Sequence, residues 1–220
     1  MIAAVRLIRD PNDLDRVFEI ADGLARPEML DQMIAELSRD AEIAQAFVTR
    51  PRVGTLDLKV LEQLPDGTLG REFARHMLAN GLDPSALPRL SSTTSREWLR
   101  AHLYETHDLW HVVAGFDTDV AGELGLQAFY LAQVPVHLAP ALLGGGLFNT
   151  LLFAWDDRER RMDAIVRGWL LGKHAKALFG VDWASLLETP LVDVRRMLEV
   201  GASPSGTPDA ASGLISGAAA

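Results

Sequence analysis

The sequence predicts an all-α protein, a single-domain helical bundle over residues 1–200. Apolar residues recur at steps of three and four along most of the chain, which is the period of an amphipathic helix. No segment shows the strict alternation of a half-buried strand. The chain has 220 residues, 48% of them hydrophobic, and this is enough apolar surface for one sizeable core. Residues 201–220 are small and mostly uncharged, and they predict a disordered C-terminal tail.

Each helix is predicted from its apolar spacing and from the residues that start or stop it. Pro27 suits the first turn of the second helix, and Asp66-Gly67-Thr68 opens the fourth. A loop with two prolines runs from Asp83 to Thr94. The predicted helices cover residues 14–24, 29–37, 43–48, 66–80, 95–114, 158–179 and 190–200, together with a helix that follows a turn near residue 116.

Composition excludes several classes of protein. The net charge is −9, the pI is near 5.1 and no basic run is present, so nucleic acid is a poor candidate partner. The sequence has no cysteine, which excludes disulfides, iron–sulfur clusters and thiolate zinc sites. The N-terminal apolar stretch is too short for a signal peptide, and we therefore expect a cytoplasmic protein.

The most informative motif contains His107, Asp108, His111 and Glu123. Two histidines at this spacing lie on one face of a helix, because four residues make slightly more than one turn. Asp108 is the next position round that helix and is a third candidate ligand. Imidazole and carboxylate groups together bind zinc, iron or manganese. The motif therefore predicts a metal site.

A helical hairpin brings the distant carboxylate to the histidines. Gly115 is a C-terminal stop for the first helix, and either Asp117 or Thr118 can cap the second, with Asp119 in its first turn. The turn is then centred near Phe116. In an antiparallel pair of helices, residues at similar distances from the turn lie at similar heights. The sequence thus predicts a helical bundle with a metal-binding helical hairpin.

The hairpin register places His111 opposite Glu123 and Gln127 opposite His107. Two chemistries follow from this arrangement. Four protein ligands would close a tetrahedral zinc site, which would be structural. Three ligands with Asp108 free as a base, or four on a six-coordinate ion, would leave room for a substrate.

The segment from Leu124 to Trp155 contains no Asp, Glu, Lys or Arg. Pro135, Pro140 and a run of three glycines interrupt it, so a smooth membrane-spanning helix is not expected. Two interpretations remain open. In the first, the segment is a pair of buried core helices. In the second, it forms an apolar cavity or a membrane-facing surface that binds a lipid beside the metal.

Other charged groups are weaker candidates. The acid-rich run from Asp156 to Asp163 alternates with arginines, which is typical of a solvated helix face. Arg71 and Arg75 share a face and could meet a carboxylate or phosphate, although surface pairing with Glu72 is the simpler interpretation. As a candidate pocket for a lipid substrate we take Phe116, Gln127, Tyr130, Gln133, Arg71 and Arg75.

The metal motif and its flanking segments resemble the coenzyme Q (ubiquinone) biosynthesis protein four family. The resemblance covers roughly residues 40–200. Besides His107, Asp108, His111 and Glu123, the matching residues are Leu64 to Gly70, Gly81-Leu82, Val181-Asp182-Trp183, Pro190-Leu191 and Arg195. Residues 1–40 match only loosely, and the tail after Gly201 has no recognised counterpart. No mitochondrial targeting segment is recognised, which indicates a bacterial-type member.

The resemblance implies an all-helical fold and a metal ion, described as zinc, held by His107, Asp108, His111 and Glu123. It also implies a role in ubiquinone synthesis. Family members are thought to bind polyprenylated quinone precursors and to organise other ubiquinone-biosynthesis proteins at the membrane. They are also associated with oxidative removal of the carboxyl group at ring carbon one, which leaves a hydroxyl.

We therefore expect a metal-dependent decarboxylase acting on a polyprenylated hydroxybenzoate, with Asp108 and Glu123 as catalytic residues. Iron or manganese would suit an oxidative step better than zinc, which has no redox chemistry. One alternative is a non-catalytic scaffold with a structural metal, and another is a metallohydrolase. We also expect a homodimer that associates peripherally with the cytoplasmic side of the inner membrane.

Overall fold

The computed structural model describes residues 14–84 and 90–201, and it contains no strand within those ranges. The all-α prediction is confirmed. In chain order the helices are α1 Leu14–Leu24, α2 Pro27–Leu37, α3 Ala41–Thr49, α4 Leu58–Leu61, α5 Leu69–Ala79, α6 Ser95–Ala114, α7 Val120–Gln133, α8 Leu138–Phe153, α9 Arg158–His174 and α10 Leu191–Met197. The predicted disordered tail and the middle of the proline loop lie outside the described residues.

Helix α6 lies at the centre of the bundle, where it packs against α2, α3, α5, α7 and α10. Its sequence explains this position, because Trp98, Leu99, Leu109 and Trp110 are all fully buried. A capping box between Thr94 and Glu97 fixes its start. The two histidines of the metal motif are therefore carried by a central helix of the bundle.

Two segments that match the resembled family contact each other. Gly67, at φ +79°, forms the turn before α5, and its carbonyl accepts a hydrogen bond of 2.8 Å from Leu191 N–H. Leu69 N–H donates to Thr189 O, and Gly70 N–H donates to Leu187 O, both at 2.8 Å. The beginning of α5 is thus fixed to the beginning of α10.

Helices α7 and α9 pack closely because glycines face each other. A Cβ atom on Gly168 would lie only 1.9 Å from the carbonyl oxygen of Gly125. A Cβ atom on Gly172 would lie 2.8 Å from Phe129 O. Any larger side chain would separate the two helices, so this contact sets the position of α7 and of Glu123 on it.

The predicted C-terminal helix boundaries were too long. Helix α9 ends at His174 rather than Phe179, and α10 ends at Met197 rather than Val200. Gln133 explains the first difference. Its amide nitrogen donates to the carbonyls of Gly172 (2.8 Å) and Ala175 (3.2 Å), and its Oε1 accepts from Leu178 N–H (2.9 Å). The chain leaves the helix there and buries Leu178 and Phe179 in the core.

The interpretation of residues 156–163 as a solvated face was wrong for one residue. Asp156, Glu159 and Asp163 are exposed, but Arg161 is buried. Its Nη1 donates to Asn149 Oδ1 at 2.8 Å and to Thr150 Oγ1 at 3.0 Å, and its Nε donates to Asp157 Oδ2 at 2.8 Å. The desolvation cost of burying this charge is offset by its hydrogen bonds to groups on α8 and in the turn between α8 and α9.

The uncharged segment divides into two parts. Helix α7 is buried over nearly its whole length, as the core interpretation predicts. The second half of α8 is not, and the core interpretation is wrong there: Leu147, Phe148, Leu151, Leu152 and Phe153 are 44–60% exposed. Among the helices of the described ranges, none has the length and apolarity needed to cross a membrane.

Candidate metal centre

The α6–α7 hairpin brings together three of the predicted ligands. Within the described part of the chain, His107, His111 and Glu123 form a group whose potential ligand atoms all lie within 4.8 Å of one another. His111 Nε2 is 3.1 Å from Glu123 Oε1, and His107 Nε2 is 3.8 Å from Glu123 Oε2. The predicted position of His111 opposite Glu123 is therefore confirmed, and that of Gln127 opposite His107 stays a prediction.

The turn itself differs slightly from the prediction. Gly115 ends α6 in the left-handed region at φ +69°, as expected. The N-cap of α7 is Asp119, whose side chain accepts a hydrogen bond of 2.8 Å from Gly122 N–H, rather than Asp117 or Thr118. Asp117 instead packs over Gly122, where any Cβ would come within 2.0 Å of Asp117 O. The hairpin can close tightly because that position has no side chain.

His111 is oriented for ligation. Its ring is buried, and its Nδ1 lies 3.1 Å from the carbonyl oxygen of Phe116. A carbonyl can only accept, so Nδ1 carries a hydrogen, and Nε2 is the nitrogen whose lone pair becomes available to a metal ion when the ring is neutral. Ligating histidines in metal sites have this same contact on their second nitrogen.

The electrostatics of the group favour a cation. Burial alone would lower the pKa of His111, but the hydrogen bond and charge of Glu123 outweigh it and raise that pKa. Burial lowers the pKa of His107. Burial opposes ionisation of Glu123, yet the neighbouring histidines keep its pKa below the usual range. An ionised carboxylate beside two imidazole rings is a ligand set that suits a divalent metal ion.

Asp108 does not belong to this group. Among the described residues it is not within the cluster of ligand atoms, and it is half-buried one position round the helix. Its charge nevertheless acts on the site, because it partly opposes the lowering of the His107 pKa by burial and adds to the effect of Glu123 on the pKa of His111. Its roles as ligand or as base stay predictions.

Tyr130 lies beside the metal group, and its place in a lipid pocket stays a prediction. Its ring stacks on Trp110 at 4.3 Å and on His107 at 5.8 Å between centroids. Its buried hydroxyl has no hydrogen-bond partner in the ranges that the structure describes. Burial, and then the charges of Asp108 and Glu123, raise its pKa well above the usual value. This hydroxyl is therefore protonated and available to a ligand.

The sequence interpretation missed His76, on α5. Its ring stacks on His111 with centroids 5.8 Å apart and planes 25° apart. Its Nε2 is buried, and no partner for it is found among the residues described. The signal was present in the sequence, since His76 follows Leu69 and Phe73 at helical spacing on the buried face of α5.

The other predicted pocket residues have different surroundings. Phe116 and Gln127 are buried near the hairpin, whereas the Gln133 amide is used by backbone groups of α9 and the segment after it. Arg75 pairs with Glu72 at 2.7 Å, and Arg71 pairs with Asp66 at 3.1 Å. Surface pairing is thus observed for both arginines.

The fold and this group define the class of protein: a single-domain helical protein in which a central hairpin presents two imidazoles and a carboxylate. Residues 1–204 match the family model of coenzyme Q (ubiquinone) biosynthesis protein Coq4. The chain belongs to this family.

Known relatives agree with that assignment. A mitochondrial ubiquinone biosynthesis protein coq-4 from Caenorhabditis elegans is 27% identical over 208 residues, covering 90% of this chain and 87% of the relative. The mitochondrial COQ4 homologue of Xenopus tropicalis is 31% identical over 211 residues, covering 92% and 71%. A crystal structure of a protein assigned to ubiquinone biosynthesis in Nostoc punctiforme matches with a TM-score of 0.81 and 32% identity, covering 91% and 96%. The chain is a ubiquinone biosynthesis protein.

Proposed function

We propose that the chain is a metal-dependent enzyme that converts a polyprenylated hydroxybenzoate into the corresponding ring-hydroxylated product. The convergence of His107, His111 and Glu123 beside Asp108 carries this proposal. In the reaction the bond between ring carbon one and the carboxyl group breaks, and the carboxyl carbon leaves as carbon dioxide. Dioxygen supplies the oxygen atom of the new hydroxyl and takes up the electron pair of the broken bond, and an external two-electron reductant with two protons reduces the second oxygen atom to water.

The residues that would hold the ion are His107, His111 and Glu123. A bound divalent ion would supply Lewis acidity and, if it were iron or manganese, redox capacity. Asp108 lies beside these ligands and would hold a proton of the substrate at a carboxylate oxygen. The buried hydroxyl of Tyr130 would donate a hydrogen bond to the substrate carboxylate.

The apolar surface of α8 and α9 supports a membrane-bound lipid substrate. Besides the exposed end of α8, Met162, Val166, Trp169 and Leu170 form an exposed stripe on α9. The cationic group of Lys173 lies 5.8 Å from the Trp169 ring centre. Tryptophan and lysine at the border of an apolar surface suit the interface of a bilayer. We propose that these surfaces attach the protein peripherally to the inner membrane.

Turnover with defined metals tests the enzymatic proposal. Metal-free protein would be loaded with zinc, iron or manganese and supplied with a prenylated hydroxybenzoate labelled in its carboxyl group, under dioxygen and with a two-electron reductant. The expected result is labelled carbon dioxide and the hydroxylated ring with iron or manganese. Absence of carbon dioxide with every metal would contradict catalysis.

A scaffold with a structural metal is the second candidate, because the same three residues join α6 to α7. In that case the protein presents its bound quinone precursor to other biosynthetic enzymes, and a homodimer is compatible with this role. The variant His107→Ala should then have a lower free energy of unfolding or fail to form the complex, and it should lose activity at the same time. A folded, complex-forming but inactive variant would contradict the scaffold.

A further inference from the structure

The C-terminal end of α6 is bound by two arginines from distant parts of the chain. Arg195 on α10 donates from Nε to Val113 O and from Nη2 to Val112 O, both at 2.9 Å. Arg167 on α9 donates from Nη2 to Ala114 O at 2.8 Å and to Gly115 O at 3.0 Å. Together they occupy the carbonyls of the last helical turn, which have no intrahelical donor.

This arrangement carries an electrostatic cost. The two guanidinium groups are close neighbours, since a Cβ on Gly115 would lie 3.3 Å from Arg167 Nη2 and 3.4 Å from Arg195 Nη2. Burial and the charge of Arg167 lower the pKa of Arg195. The negative end of the α6 dipole offsets the repulsion.

Phe116 connects Arg167 to the metal ligands. The guanidinium carbon of Arg167 lies 4.3 Å from the centre of the Phe116 ring. The Phe116 ring also packs against α7, where a Cβ on Gly125 would come within 2.4 Å of it. The Phe116 ring is therefore confined, and its carbonyl is the group that holds His111 Nδ1 at 3.1 Å.

We propose that Arg167 and Arg195 are positioning residues that hold the end of α6 and Phe116 so that His111 presents Nε2 at a fixed angle to the metal. The inference rests on the proposed metal site. Loss of outer-shell contacts of this kind typically weakens metal binding about 10- to 100-fold. Lysine would donate to one carbonyl at a time and would restore only part of the effect.

Metal affinity and the visible spectrum of bound cobalt test this role without an activity assay. The variants Arg167→Met, Arg195→Met and the corresponding lysine variants would be compared with wild type. Matched controls are Arg158→Met on α9 and Arg196→Met on α10, which are surface arginines paired with Glu159 and Asp193. The methionine variants should bind Co²⁺ and Zn²⁺ about 10- to 100-fold more weakly with a shifted cobalt spectrum, and the controls should match wild type.

The outcomes separate this inference from the proposal beneath it. If wild type binds neither ion, the metal site fails and the positioning role fails with it. If wild type binds but the methionine variants bind equally well with unchanged spectra, only the positioning role is overturned. Should those variants not fold, Phe116→Leu decides, because it keeps the carbonyl and removes the ring. It should weaken Co²⁺ binding about tenfold, and unchanged binding would overturn the role.

Discussion

His111 Nε2 lies 3.1 Å from Glu123 Oε1. The two residues belong to the two helices of a hairpin, the first of which ends at a glycine. The same imidazole is held on its other side by the Phe116 carbonyl. This relationship joins two residues from different helices into one site. It also gives the site a direction, because only one nitrogen of the ring remains free for an ion.

The variant Asp108→Asn should show whether Asp108 is a metal ligand or a catalytic base. Asp108 lies outside the group of ligand atoms, so the variant should retain its affinity for Zn²⁺ or Mn²⁺ within about threefold while turnover falls about 100-fold or more. Equilibrium dialysis and the carbon dioxide assay would measure the two quantities. Asp117→Asn, in the turn, is the matched control. Loss of metal together with turnover would show that Asp108 is a ligand.

The free energy of unfolding should fall on acidification because of His102. This histidine is buried, and burial lowers its pKa from 6.5 to about 4. Its Nε2 accepts a hydrogen bond of 3.0 Å from Gly180 N–H, which requires the neutral ring. The unfolded chain therefore binds more protons than the folded chain between about pH 6.5 and 4. The stability contributed by His102 is complete above that window and decreases through it, by about 3 kcal/mol in total.

Urea unfolding of metal-free protein at pH 7, 5.5 and 4.5 would measure this effect. His102→Gln keeps an acceptor but cannot titrate, so its free energy of unfolding should depend less on pH than that of wild type. His174→Gln changes an exposed histidine and should behave like wild type. An equally steep decline in the His102→Gln variant would refute the assignment.

Gly168→Ala should be strongly destabilising. The added methyl group would overlap the Gly125 carbonyl, since the Cβ would lie 1.9 Å from that oxygen, and helix α9 would have to move away from α7. Overpacking of this kind costs about 1–3 kcal/mol or more. Gly144→Ala in α8 is the control, because no described atom lies within 4 Å of its Cβ and alanine favours a helix. Equal melting temperatures for the two variants would contradict the close contact between α7 and α9.

The apolar end of α8 should mediate attachment to bilayers. The double variant Phe148→Ser and Leu152→Ser removes two exposed side chains, so the fold should be unaffected while the partition into vesicles falls at least about tenfold. Sedimentation with phosphatidylethanolamine–phosphatidylglycerol vesicles would measure it. Val48→Ser removes an apolar side chain that is 75% exposed on α3 and should leave binding unchanged. Equal binding by all variants would argue against this surface.

The hairpin could be predicted from the sequence because its determinants are local. Helical period, a glycine stop and the spacing of His111 from Glu123 are enough to set the register. His76 could not be assigned in the same way, since its contact with His111 exists only through the packing of α5 on α6. The early end of α9 depends on Gln133, which acts from another helix.

Burial was harder to predict than helicity. Arg161 lies in an alternating charge run that is typical of a solvated face, and only the tertiary fold brings Asn149 and Thr150 to it. At the end of α8 the polar residues Asn149 and Thr150 are buried and the apolar side chains are exposed, which reverses the usual pattern of an amphipathic helix, so the sequence could not show which face is left uncovered. A helix of this composition is expected either in a protein core or in contact with lipid, and its composition does not show which of the two applies.

Metal content per chain tests the central claim most directly. Wild type and the double variant His107→Ala and Glu123→Gln would be purified in parallel, reconstituted with zinc, iron or manganese, and assayed by elemental analysis after removal of free ions. We predict about one ion per chain for wild type and almost none for a folded double variant, because three convergent ligands define one site. Wild type without bound metal, or a double variant that binds as much as wild type, would contradict the claim.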